Sequence, residues 1–100
     1  MTTPRQVEND LKEIRYYYAR RDMFASASKY IIESGIIEKV SRYNRAMANA
    51  PPRLYALYYA LYVEGMTQES FAAKSGTSRS YVKQNNGKLR AYLVQKFNET

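Results

Sequence analysis

The sequence predicts an all-α fold, on three observations. No segment alternates apolar with polar residues over strand length, and β-branched residues are sparse. Apolar residues instead recur at spacings of three and four throughout. The runs so formed are separated by residues that start or stop helices: Thr3 with Pro4, Gly35, Ala50-Pro51-Pro52, Gly65 and Gly76. One hundred residues suffice for a single domain, 1–100, with one modest core.

The first helix begins at Pro4, which suits a first helical turn, with Thr3 as N-cap. Val7, Leu11, Ile14 and Tyr18 then share a stripe. The same rhythm extends through Arg21, Ala25, Ser28 and Ile32. A coiled-coil dimer seam can therefore be drawn as far as Gly35, although Arg21 and Ser28 are poor core residues and a helix packed on its own domain is the better expectation. A second segment follows Gly35, with Ile36, Val40, Tyr43 and Met47 on one face, and Ala50-Pro51-Pro52 ends it because the residue before a proline is steered out of the α region.

Pro52 opens the next helix. Leu54, Leu57, Tyr58, Leu61 and Tyr62 form one face, and Ala56, Tyr59, Ala60 and Val63 make the opposite side nearly as apolar, which predicts a central helix. Gly65 supplies its left-handed C-terminal cap. Residues 1–50 thus read as N-terminal helices for packing or oligomerisation, and 52–98 as the functional part.

Composition narrows the chemistry. The chain holds no cysteine, histidine or tryptophan, so disulfides, thiolate metal sites and the commonest general base are all missing. No metal, cofactor or enzymatic activity is expected. No apolar leader opens the chain and no run of about eighteen apolar residues occurs, so the expected setting is the cytoplasm, without a membrane. The net charge of +7 attracts polyanions but also falls within the range that merely keeps a small domain soluble. Residues 67–100 carry six Lys or Arg against two acids, a net +4 from about a third of the chain.

That third contains TQESFAAKSGTSRSYVKQ. Thr67 is an N-cap, with Ser70 where a capping box would place Glu. Phe71 and Ala72 point inward, Gly76 makes the turn, Ser78 caps a second helix and Val82 locks it onto the first. Two helices crossing at roughly 90 to 120° through a short turn need a small residue where they approach and a glycine where the chain reverses. Ala72 and Gly76 meet those needs. The pattern resembles the helix-turn-helix of phage repressors and, with the basic continuation KLRAYLVQKF, the promoter-recognising fourth region of bacterial sigma factors. Together with LKEIRYYYARRDMF at 11–24, YNRAMANAPPRLYALYYALYVEGMTQES at 43–70 and SRSYVKQ at 78–84, it makes the whole chain similar to ArpU-type phage and prophage transcriptional regulators. The resemblance implies a bacteriophage or prophage protein that controls transcription in a bacterial host.

In helix-turn-helix geometry the N-terminal residues of the second helix face base edges while the first crosses the backbone. Arg79, Ser80, Lys83 and Gln84 are then groove-facing, with Tyr81 at the groove wall; Arg79 suits guanine and Gln84 adenine. Thr67, Gln68 and Ser78 sit at helix N-termini where phosphate is favoured, and Lys74, Lys88 and Arg90 add salt-sensitive contacts. The plainer alternative is that all of these form the wet face of a helical hairpin. The expected partner is double-stranded DNA, read by a dimer joined through the N-terminal helices or with RNA polymerase as co-partner, since one such motif makes few base contacts. A small phage adaptor or inhibitor that binds a host protein such as RNA polymerase is the alternative from another class.

Three signals are discounted. SYVK at 80–83 fits a serine acyl-enzyme pattern without its companion motifs, and NET at 98–100 is a glycosylation sequon without a leader. The tyrosine runs at 16–18 and 55–62 spread their rings around a helix axis, which fits core packing better than a base-stacking platform. Asn85-Asn86-Gly87 is a turn signal, yet apolar phase persists through it. With Val82 at zero, Leu89, Leu93 and Phe97 fall at about −20°, +20° and +60°. One helix from about Ser78 to Phe97 is expected, with Asn85 and Asn86 as a polar notch in its inward face.

Overall fold

The computed structural model describes residues 1–21 and 35–99. These form five α-helices, and no strand occurs among the described residues: α1 (Pro4–Ala19), α2 (Ile36–Met47), α3 (Pro52–Tyr58), α4 (Gln68–Ser75) and α5 (Arg79–Asn98), with α3 running on into a π-helical turn, Tyr59–Val63. The fold is all-α, as expected. No described helix is long and apolar enough to cross a membrane.

The start of α1 is a complete capping box. Thr3 Oγ1 accepts from the Gln6 backbone N–H, and the Gln6 side chain accepts from that of Thr3. Val7, Leu11 and Ile14 are fully buried, facing the π turn, α5 and α2. The apolar stripe of α1 is thereby used inside its own domain. Its proposed continuation through Ala25, Ser28 and Ile32 lies outside the described residues.

On α2, Val40, Tyr43, Ala46 and Met47 are buried. The helix stops at Met47, a turn before the prolines.

One expectation is corrected in α3. The helix is not buried all round: Leu57, Tyr58, Ala60 and Leu61 are in the core, whereas Tyr55, Ala56 and Tyr59 are exposed. The Glu64 N–H closes the π turn on the Tyr59 carbonyl at 2.8 Å, and Gly65, at φ 75°, lets the Met66 N–H return to the Ala60 carbonyl.

Gly76 adopts the left-handed conformation at the end of α4 (φ 69°), and the Thr77 N–H bonds the Ala72 carbonyl at 3.0 Å. Ser78 then caps α5 by accepting from the Tyr81 N–H. Ala72 and Val82, both buried, belong to the core where α4 and α5 meet. Helix α5 continues unbroken through Asn85-Asn86-Gly87 for twenty residues, and Leu89 and Leu93 carry its buried face.

Tyrosine hydroxyls join the helices. Tyr43 donates to Asp10 at 2.7 Å, Tyr58 to Asn44 at 2.7 Å, and Tyr92 to the Ala46 carbonyl at 2.9 Å. Asn44 in turn donates to the Tyr18 hydroxyl at 3.1 Å, so α3, α2 and α1 are linked in series. Asp10 also pairs with Lys39, which bonds Glu13 as well. These rings serve packing, each with a polar tip that finds a partner.

Candidate functional site

A polar cleft of about 750 Å³ lies between α1, the start of α4 and one flank of α5. Its α5 wall is built from Arg79, Lys83, Asn86 and Arg90. Their spacing of four, three and four places them on one stripe, at about +40° to +100° from the inward-pointing Val82. The opposite wall holds Arg15 of α1, whose guanidinium donates to the Gly65 carbonyl at 2.9 Å. Arg15 thereby fixes the loop that leads into the Thr67 cap. Thr67, Gln68 and Glu69 form the α4 end of the cleft, and Ser80 its rim.

Electrostatically the cleft is cationic. Arg15, Arg79, Lys83 and Arg90 face one carboxylate, Glu69, and among the described residues none of these four cations is ion-paired. The contrast is with Lys12, Lys39, Arg42 and Lys96, each of which has a carboxylate partner. The N-termini of α4 and α5 both border the same space, and the first N–H groups of a helix have no acceptor within it. Cations, the first N–H groups of the two helices and the Ser80 hydroxyl make a chemistry suited to an anion carrying several oxygens.

Behind the cleft lies Tyr62. Burial raises its phenol pKa, while the hydrogen bond with Asn86 and the charges of Arg90 and Arg15 act against that rise. Both arginines therefore act on the same ring from opposite walls. Asn86, 6% exposed, accepts from the Tyr62 hydroxyl at 2.7 Å, so the expected polar notch of α5 is filled by a tyrosine from the π turn.

The structure gathers six of the sequence-predicted residues at this cleft: Thr67, Gln68, Arg79, Ser80, Lys83 and Arg90. Five lie elsewhere. Ser78 is engaged in capping α5, Lys74 is exposed near the end of α4, and Gln84 points outward from α5. Tyr81 is exposed on the other flank of α5, and Lys88, also on that flank, borders a second groove with Pro51, Pro52, Arg53, Leu54 and Asn85. Arg15 and Asn86 join the site unannounced by the motif. Arg15 lies fifty positions before the carbonyl that it holds, beyond the reach of any local spacing rule. Asn86 was visible only as a polar interruption of an apolar seam. Comparison with protein-family models, with curated proteins and with solved structures finds no match for this chain.

Proposed function

We propose that the chain is a DNA-binding regulator of transcription, of the ArpU type that its sequence resembles, in which α4, the Gly76 turn and α5 act as a helix-turn-helix. One observation carries the reading. Directly after the turn and its serine cap, α5 carries a basic stripe, Arg79, Lys83 and Arg90, that has no ion-pair partner among the described residues, beside the N-terminus of α4. A helix presented in this way is suited to a DNA groove, with the preceding helix end on the backbone. The net charge of +7 supplies long-range attraction to the same partner.

The Val7, Leu11 and Ile14 face is occupied within the domain, so a dimer would need a different surface of the N-terminal part. The test is selection of duplex DNA from a random-sequence library, followed by anisotropy titration of the enriched duplex. Enrichment of a sequence, and loss of its binding on Arg79→Ala with Lys83→Ala, supports the reading; wild-type affinity in that double variant contradicts it.

A second reading, an adaptor that binds a host protein, is favoured by one feature. The groove of about 530 Å³ beside Pro51, Pro52 and Leu54 is largely apolar and rimmed by Arg53 and Lys88. Salt separates the two readings, since phosphate contacts weaken steeply between 50 and 200 mM salt and an apolar protein interface does not.

A further inference from the structure

We propose that the cleft between α1 and α5 clamps the sugar–phosphate backbone of one nucleic-acid strand, with Arg15 and Arg90 as its two jaws and Arg79 and Lys83 on phosphate rather than on base edges. The inference rests on the DNA-binding reading and redistributes roles within it.

Direction along α5 is the first argument. Arg79, Lys83 and Arg90 project at about 60°, 100° and 80° from Val82, toward the wall formed by α1 and the start of α4, whereas Gln84 projects at about 200°, straight away from the core. A long side chain leaning into a cleft meets what runs along the cleft; one standing outward meets what lies across the helix. Gln84, which does not line the cleft, is thereby left as the outward reader of a base edge.

Arg15 is the second argument. One terminal nitrogen of its guanidinium, Nη2, donates to the carbonyls of Gly65 and Met66. A guanidinium has five N–H donors, so most remain for the cleft, and the carbonyl contact holds the group in place before any ligand arrives. The N-terminal helix is then part of the nucleic-acid interface and not only a packing element.

Gly87 is the third. Its backbone is helical rather than left-handed, and a Cβ built there meets nothing within 4 Å, so neither the turn nor the packing of this domain requires glycine. It lies one turn after Lys83 and just before Arg90, at about 140° from Val82, between the cleft and the outward face. The missing side chain leaves a path by which a strand held in the cleft passes over α5.

The experiment compares salt dependence and discrimination. Anisotropy titrations use a library-selected duplex and a scrambled duplex of equal length, from 50 to 200 mM salt, with full-length Arg15→Gln, Arg90→Gln, Arg79→Gln, Lys83→Gln and Gln84→Ala proteins. Arg15→Gln removes the charge of one jaw, and Arg90→Gln tests the other jaw independently. Each charge-removing substitution is expected to weaken both duplexes alike and to reduce the slope of log affinity against log salt by about 0.9. Gln84→Ala is expected to weaken only the selected duplex, by about 5- to 150-fold, with the slope unchanged. Duplex binding that keeps its wild-type slope in both Arg15→Gln and Arg90→Gln overturns the clamp and leaves the DNA-binding reading standing. Loss of discrimination at constant slope in Arg79→Gln and Lys83→Gln returns those residues to base edges and overturns the role assigned to them. Absence of any duplex binding by the wild-type protein overturns both readings together.

Discussion

The hydroxyl of Tyr62 donates a 2.7 Å hydrogen bond to Oδ1 of Asn86, joining the π turn that extends α3 to the middle of α5. The contact explains how a helix meant to pack along one face tolerates Asn86 there. A π turn inserts extra backbone into one turn of a helix and often marks a functional position. Here it belongs to the segment whose tyrosine reaches the notch. Asn86 also lines the basic cleft, so the same bond ties the wall of that cleft to the core.

Removing the donor tests this tie. Tyr62→Phe leaves a buried amide oxygen without its partner and should cost about 1 to 3 kcal/mol. Combining it with Asn86→Leu, which removes the acceptor, should cost less than the two single losses added together. Urea denaturation of the two single variants and the double variant measures the coupling. Strict additivity would mean that the bond contributes nothing.

Gly87→Ala separates stability from function. Because the position is helical and open, alanine should stabilise the fold by about 0.5 to 1 kcal/mol. Thermal denaturation should show the gain, of the order of 4 to 8 °C per kcal/mol for a domain of this size. If a strand crosses α5 there, the same variant should bind duplex DNA more weakly than wild type despite its higher melting temperature.

Alkaline pH should loosen the domain. Burial, aided at Tyr43 by the hydrogen bond to Asp10 and at Tyr58 by the nearby Tyr18, raises both phenols well above the ordinary value of about 10. The hydrogen bond to Glu13 raises Lys39 in the same direction. The unfolded chain therefore releases these protons first, so their contribution is complete below about pH 10 and is lost as pH rises above it. Melting temperatures measured from pH 8 to 11 should fall only at the alkaline end. Tyr58→Phe should start lower and fall less steeply; an equally steep fall would remove Tyr58 from the cause.

The Ser78 cap gives a prediction on α5 itself. Its hydroxyl oxygen accepts from the Tyr81 N–H at 3.0 Å, and Ser78→Ala should destabilise by about 1 kcal/mol, whereas Ser78→Asp should retain most of the stability. Chemical denaturation of the three proteins checks the order.

Much of the architecture was legible in the residues. Thr3, Thr67 and Ser78 stand where helices begin, and Gly65 and Gly76 adopt the positive φ expected of them. The continuity of α5 followed from the phase shared by Val82, Leu89 and Leu93, all buried. Local spacing could not show the π turn, because a widened turn leaves no mark in an apolar pattern already dense on every side. It could not show Arg15 reaching Gly65 either, since that contact depends on how α1 packs against the π turn. The angular position of Lys88 on α5 was available, but which helix stood beside it was not. The polar tips of Tyr43 and Tyr58 were expected in the core or at an interface; their partners Asp10 and Asn44 emerged only from the tertiary arrangement.

The central claim, that the basic cleft between α1 and α5 binds DNA through its phosphates, is tested most directly by the salt dependence of duplex binding by the wild-type protein. Anisotropy across 50 to 200 mM salt should give a straight line of log affinity against log salt whose slope corresponds to about four phosphates, one each for Arg15, Arg79, Lys83 and Arg90. No measurable binding at 50 mM, or binding that does not change with salt, would contradict it.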